Sequence, residues 1–172
     1  MVESPVSITV VNHVGIDISV GADVVWREIT DFFLEARRWR EAGYAIEPLH
    51  DRAAVLGGYR MRLDREGAAA DERVVRVSER DDVERRLSLF VDFVSAPDGL
   101  VVHATYHAVP TAAGARYAID CHTQMGVRPR GTGSKADIAF AIDEMKTHSD
   151  KHLTEHLERV KSRLEHPQGD FR

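Results

Sequence analysis

Between Arg73 and Val127 the chain alternates so that three successive hairpins put their apolar side chains on one shared face. No other feature restricts the fold as strongly. Side chains along a strand point alternately to the two faces of a sheet, so a one-residue slip would exchange those faces. A turn at Ala96-Pro97-Asp98-Gly99 sets Phe93 opposite Val102, Val91 opposite Ala104, Leu89 opposite Tyr106 and Leu87 opposite Ala108. A second turn, near Thr111 to Ala115, sets Tyr106 opposite Ile119, Ala104 opposite Cys121 and Val102 opposite Thr123. Both turns agree on which face is apolar. The other face carries Ser88, Asp92, His103, Thr105, His107, Asp120, His122 and Gln124. The pattern predicts a curved meander with one dry and one wet side, and the dry side needs a cover.

The flanking segments supply candidates for that cover. Ile8 to Val20 alternates as a long first strand with one polar intruder, Asn12, on its inner face. A short helix follows from Asp23 to Phe33, burying Val25, Ile29, Phe32 and Phe33 with Trp26 beside them. A second helical piece, Leu34 to Ala42, carries Trp39 and stops at Gly43, a C-cap residue. Tyr44 to Leu49 reads as a strand weakened by Pro48, and Val55 to Leu63 as a better one whose Gly57-Gly58 marks a bulge or a close backbone approach. After a flexible connection from Gly126 to Ser134, Lys135 to Glu165 keeps a helical period, with Ser134 as N-cap. Its apolar stripe is Ile138, Ile142, Met145, Leu153, Val160 and Leu164, with Leu157 at the edge. Helices gathered on one face of an antiparallel sheet make an α+β fold. The expected form is a curved sheet of about seven strands wrapped on a long C-terminal helix, with two short helices after the first strand.

A chain of 172 residues is one domain, 1–172, with 166–172 expected as a flexible tail. A net charge of −5 with both signs interspersed leaves no basic stripe for nucleic acid and no polybasic patch for a membrane. Cys121 is the single cysteine, so there is no disulfide framework. The N-terminus alternates and is acidic where a signal peptide would be basic and then apolar, and no stretch is apolar for long enough to span a bilayer. These features point to a cytoplasmic protein. Nothing calls for a cofactor, and monomer and homodimer both remain open.

Three segments carry a family resemblance. DISVGADVVWREITDF (Asp17 to Phe32) runs a strand into a helix holding Val25-Trp26; VLGGYRMRL (Val55 to Leu63) is similar to a glycine-containing third strand; DERVVRVSERDDVERRLSLFV (Asp71 to Val91) is like a central hairpin. With the long terminal helix, this order resembles the Bet v 1-like, or START (SRPBCC), superfamily, most closely its bacterial polyketide cyclase/dehydrase and lipid-transport branch. The resemblance implies a helix-grip fold with a mostly apolar cavity between sheet and C-terminal helix. It also implies a small hydrophobic ligand: aromatic, polyketide-like or lipid-like. Some members cyclise or dehydrate in that cavity, and others only carry or sense.

A ligand in such a cavity touches inward residues. The set expected to line it is Asn12, Tyr59, Met61, Phe93, Tyr106, Tyr117, Thr123, Met145 and His156. Tyrosines there give flat apolar area and a hydroxyl for a carbonyl or phenol. Catalysis would fall to Arg73, polarising a carbonyl with Tyr59, and to His152 as base. Gly57 and Met61 flank Tyr59 on that strand face, so the polar pair expected of a cyclase is missing there. His152 and His156 lie one turn apart on the helix stripe without a third inward metal ligand. On the wet face the register sets Asp92, His103 and His122 side by side, a metal-compatible set with no pocket, and the reading is no metal site. Arg73 and Glu79 are read as the two ends of one inward strand face. Three functions compete: a hydrophobic-ligand binder, a cyclase/dehydratase in the same cavity, and a co-chaperone-like module binding a protein through the sheet, where Phe90 and Val94 hint at an apolar patch.

Overall fold

Alternation along Val6–Ile18 buries Ile8, Val10, Asn12 and Ile18 and leaves Ser7, Thr9, Val11 and His13 exposed, which makes this segment β1. The structure is a computed structural model that describes residues 5–50, 54–64, 66, 69–96, 99–127 and 134–166. After β1 come α1 (Ala22–Phe33), α2 (Arg37–Glu41), β2 (Ala45–Pro48), β3 (Gly58–Leu63), β4 (Asp71–Asp81), β5 (Arg86–Asp92), β6 (Val101–Thr111), β7 (Gly114–Val127) and α3 (Lys135–Glu165). The seven strands form one antiparallel sheet in the order β1-β7-β6-β5-β4-β3-β2. The chain therefore closes the meander by laying its first strand against its last. Among the described residues no helix is long and apolar enough to cross a membrane.

The β6–β7 register is the expected one: Tyr106 faces Ile119, Ala104 faces Cys121 and Val102 faces Thr123. The β5–β6 register differs from expectation by two residues. Val91 pairs with Val102, Leu89 with Ala104 and Leu87 with Tyr106. The connection is a longer loop, closed by hydrogen bonds from Phe93 N to Leu100 O and from Ala96 N to Phe93 O. A slip of two preserves which side chains face inward, so the apolar face survives the error. It does not preserve neighbours across strands. Phe90, not Asp92, stands opposite His103, so the Asp92/His103/His122 set does not assemble. A bulge between Val77 and Glu79 makes a second correction. It turns Glu79 onto the outer face, where it accepts hydrogen bonds from Arg86 and Ser88, so Glu79 shares no inward face with Arg73.

Two elements cover the dry face. α1 buries Ala22, Val25 and Ile29 against β6 and β7. α3 packs chiefly along β1. Its most buried residues are Leu157 and Val160, so Leu157 is the centre of the stripe and not its edge. Burying side chains of this size contributes roughly 1.5–3 kcal/mol each. Ser134 caps α3 as expected: its Oγ accepts from Asp137 N at 3.2 Å, and Asp137 Oδ2 accepts from Ser134 N at 3.0 Å. Asn12 ties β1 to α3, donating from Nδ2 to Asp150 Oδ1 at 2.7 Å and to the Lys146 carbonyl at 3.2 Å. Gly57-Gly58 is a close approach, since a Cβ on Gly58 would stand 2.4 Å from the Val75 carbonyl oxygen. Residues 97–98, 128–133 and 167–172, which include parts of the expected turn, connection and tail, lie outside the described residues.

Candidate functional site

Two short helical elements and the inner faces of β3 to β6 enclose an aromatic pocket of about 140 Å3. α1 contributes Phe33 at its last position, and α2 contributes Trp39. The sheet supplies Tyr59, Phe93 and Tyr106 as rings, with Met61, Val75, Leu89, Val91 and Val102 between them. The rings touch: Phe33 and Tyr106 have centroids 4.1 Å apart, and Trp39 lies edge-on to both Phe32 and Tyr44. α2 is brought into place by left-handed backbone at each end, at Ala36 (φ 51°) and at Gly43 (φ 91°). The second position is the glycine that the sequence places there as a stop.

Among the described residues Arg73 is the one charged group of the lining. Its Nε donates to Asp71 Oδ1 at 3.0 Å and its Nη2 to Asp71 Oδ2 at 2.5 Å, a two-pronged pair. Nη2 also donates to the Tyr44 hydroxyl at 3.3 Å, and that hydroxyl donates to Asp71 Oδ2 at 2.7 Å. The guanidinium carbon lies 4.7 Å from the Phe93 centroid and 5.6 Å from that of Trp39. Rings and carboxylate thus fix the cation at the pocket wall. Burial pushes the Tyr59 hydroxyl up to about 12, against weaker opposing pulls from Trp39 and Arg73. Burial raises Tyr106 and Tyr117 further still. All three stay neutral at physiological pH and act as hydrogen-bonding groups, not as bases.

A second concavity, about 350 Å3, lies between the end of β7 and the N-terminal half of α3. Met125, Phe140, Ala141 and Met145 line it together with Asp137 and Glu144. It is the space between sheet and long helix that the sequence reading expects to be the cavity. The aromatic residues, however, gather under α1 and α2.

No protein-family model matches the chain, and no curated protein matches it in sequence. Solved structures do match. The Mll3558 protein from Rhizobium loti aligns with a TM-score of 0.58 at 15% identity, covering 89% of this chain and 98% of that one. The Zhui aromatase/cyclase from Streptomyces sp. R1128 aligns at 0.55 and 17%, covering 95% and 99%. A START superfamily protein from Mycobacterium smegmatis aligns at 0.51 and 14%, covering 91% and 98%. The fold is the Bet v 1-like, START-type helix grip.

Within this helix grip the expected site residues separate into five groups. Tyr59, Met61, Phe93, Tyr106 and Arg73 come together in the aromatic pocket. Met145 lies instead in the β7–α3 concavity. Asn12, Tyr117 and His156 are packing residues: Asn12 is buried between β1 and α3, Tyr117 is buried, and His156 stacks edge-on to Phe32 and Tyr117. Thr123, opposite Val102, is half-buried with its Oγ1 3.7 Å from Cys121 Sγ. His152 departs furthest from expectation. Its side chain is 61% exposed and turned to His148, so α3 presents it to solvent and not to the cavity. The aromatic residues missing from the sequence-based lining are Phe33 and Trp39. A ring ending one short helix and a ring in the next, just before an inner-facing strand, are the signal that could have placed them.

Proposed function

We propose that this chain binds a small, neutral aromatic molecule of about one ring in the pocket beneath α1 and α2. The observation that carries this reading is the convergence of five aromatic rings and one guanidinium on a space of about 140 Å3. An apolar cavity of about 150 Å3 is enough to take up benzene. Arg73 spends Nε and Nη2 on Asp71, which leaves Nη1 as the donor for a ligand's oxygen. Because Asp71 already offsets the charge, a ligand carboxylate would meet that carboxylate close by, whereas a carbonyl or phenol would not. The ligand class is therefore a phenol or aryl ketone in preference to an aryl acid.

Arg73 and Tyr59 share this lining, and those two groups could polarise a carbonyl. The neighbouring fold of an aromatase/cyclase makes ring closure the second reading. Against it, the described residues of the lining include no histidine or carboxylate to serve as base, and His152 lies outside it. Binding without turnover is the better supported activity. Calorimetric titration with 4-hydroxyacetophenone and with 4-hydroxybenzoate tests it. The ketone should bind at least about tenfold tighter, a gap of about 1.4 kcal/mol, and Tyr106→Trp, which fills the pocket, should abolish that binding. Equal affinities would overturn the neutral-ligand assignment; no binding of either, or binding untouched in the variant, would overturn the pocket itself.

A further inference from the structure

The stripe of α3 facing away from the aromatic pocket carries a histidine pair that ligand binding does not use. His148 and His152 lie four residues apart, one helical turn, and both side chains are exposed. Their Nε2 atoms approach to 3.0 Å, with the rings nearly perpendicular at 79°. At the metal–nitrogen distance of ~2.0 Å found for imidazole ligands, two nitrogens stand about 3.3 Å apart in a tetrahedron. Cis in a square plane, at the same bond length, they stand about 2.8 Å apart. The observed separation lies nearer the square-planar value, the geometry of Cu2+ and Ni2+.

A second observation concerns the far side of one ring. His152 Nδ1 lies 3.9 Å from Glu155 Oε2. A carboxylate on that side favours a proton on Nδ1, which leaves Nε2 for a ligand. Without metal the two Nε2 atoms share a hydrogen bond, so one ring carries its proton on Nε2, and binding a cation to both Nε2 atoms moves that proton to Nδ1 of the same ring. Among the described residues no group of three or more histidine, cysteine or acidic side chains is arranged to hold a metal. The pair would thus act as a two-nitrogen clamp, with the remaining positions filled by water.

We infer that His148 and His152 form a surface chelate on α3 for a divalent transition metal of tetragonal preference, Cu2+ above Ni2+ above Zn2+. The site is separate from the aromatic pocket, whose lining contains no α3 residue, so it stands or falls independently of the ligand-binding reading. The full chain is titrated with CuSO4, with NiCl2 and with ZnCl2 in a non-chelating buffer, read by calorimetry and, for copper, by electron paramagnetic resonance. One equivalent of Cu2+ should bind with a tetragonal spectrum showing two nitrogen couplings. Either His148→Gln or His152→Gln should weaken it at least about tenfold, as loss of one of two donors demands, while His122→Gln on the sheet leaves it unchanged. Both α3 positions are exposed, so these variants should fold, which circular dichroism verifies. Affinity unaffected by both α3 variants means an adventitious ion elsewhere and overturns the proposal. So does zinc binding more tightly than copper, or no binding by sub-millimolar metal.

Discussion

His156 sits between Phe32 and Tyr117, with centroid distances of 5.5 and 6.3 Å. Burial, reinforced by the cations of Arg159, Arg163 and Arg38, lowers its pKa from 6.5 to about 4. Above about 6.5 the ring is neutral whether the chain is folded or not, and it contributes its full packing. Between about 6.5 and 4 the unfolded chain takes up a proton that the folded chain refuses, so stability drains away as the pH falls. The loss by pH 4.5 should be on the order of 2–3 kcal/mol. Urea denaturation of the wild type and of His156→Phe at pH 7 and at pH 4.5 measures it. The variant should lose clearly less stability over that interval; an identical loss in both would show that other groups carry the acid sensitivity. The sequence reading has His156 inward, as the structure does, yet puts His152 there too. Helical periodicity allows both, because one turn separates them. Only the crossing of α3 over β1 decides which of the two is covered.

Gly58 shows at the scale of an element what the sequence can and cannot display. Two adjacent glycines mark an unusual place, and the structure gives the reason: a methyl group on Gly58 would lie 2.4 Å from the Val75 carbonyl oxygen and 3.2 Å from Arg76 Cα. Backbone cannot yield there without breaking the β3–β4 ladder. Gly58→Ala should cost about 3 kcal/mol, at the upper end for overpacking, and weaken ligand binding by displacing Tyr59 next to it. Gly21→Ala, where an added methyl has nothing within 4 Å, is the control and should cost well under about 1 kcal/mol. Thermal melts of both variants should differ by several degrees, and matching melts would refute the steric account. Elements whose limits are set by local chemistry were legible: α3 runs from its Ser134 cap to Glu165 as the sequence reading expects. The β5–β6 register was not, because it depends on how an eight-residue connection (93–100) folds back, and face alternation is blind to a slip of two. The Asp92/His103/His122 set dissolved for that reason alone.

On the scale of the whole molecule, sheet and helices were readable from the pattern, but the division of labour among the helices was not. A long terminal helix is the obvious cover for a concave sheet, and α3 does cover β1. The aromatic pocket nevertheless lies under α1 and α2, because those elements carry the rings that meet Tyr59, Phe93 and Tyr106. Composition could not distinguish the two arrangements, since apolar residues on α3 suit either. The consequence is testable by hydrogen exchange with and without a saturating ligand. Anything that binds only the folded state raises its stability, by about 2.7 kcal/mol at a hundred times Kd, and slows globally unfolding amides everywhere. Amides that exchange through local opening respond only where the ligand bridges the elements that open. α2 is a five-residue helix held to the rest of the chain largely by Trp39 and by the Arg38–Glu28 ion pair, so its amides are expected to exchange by local opening. Protection should therefore rise most in α2 and the end of α1, around Phe33 and Trp39, and barely change in the first turns of α3 near Phe140 and Met145. The reverse pattern would move the ligand to the β7–α3 concavity, and with it the choice of lining residues from aromatic rings to methionines.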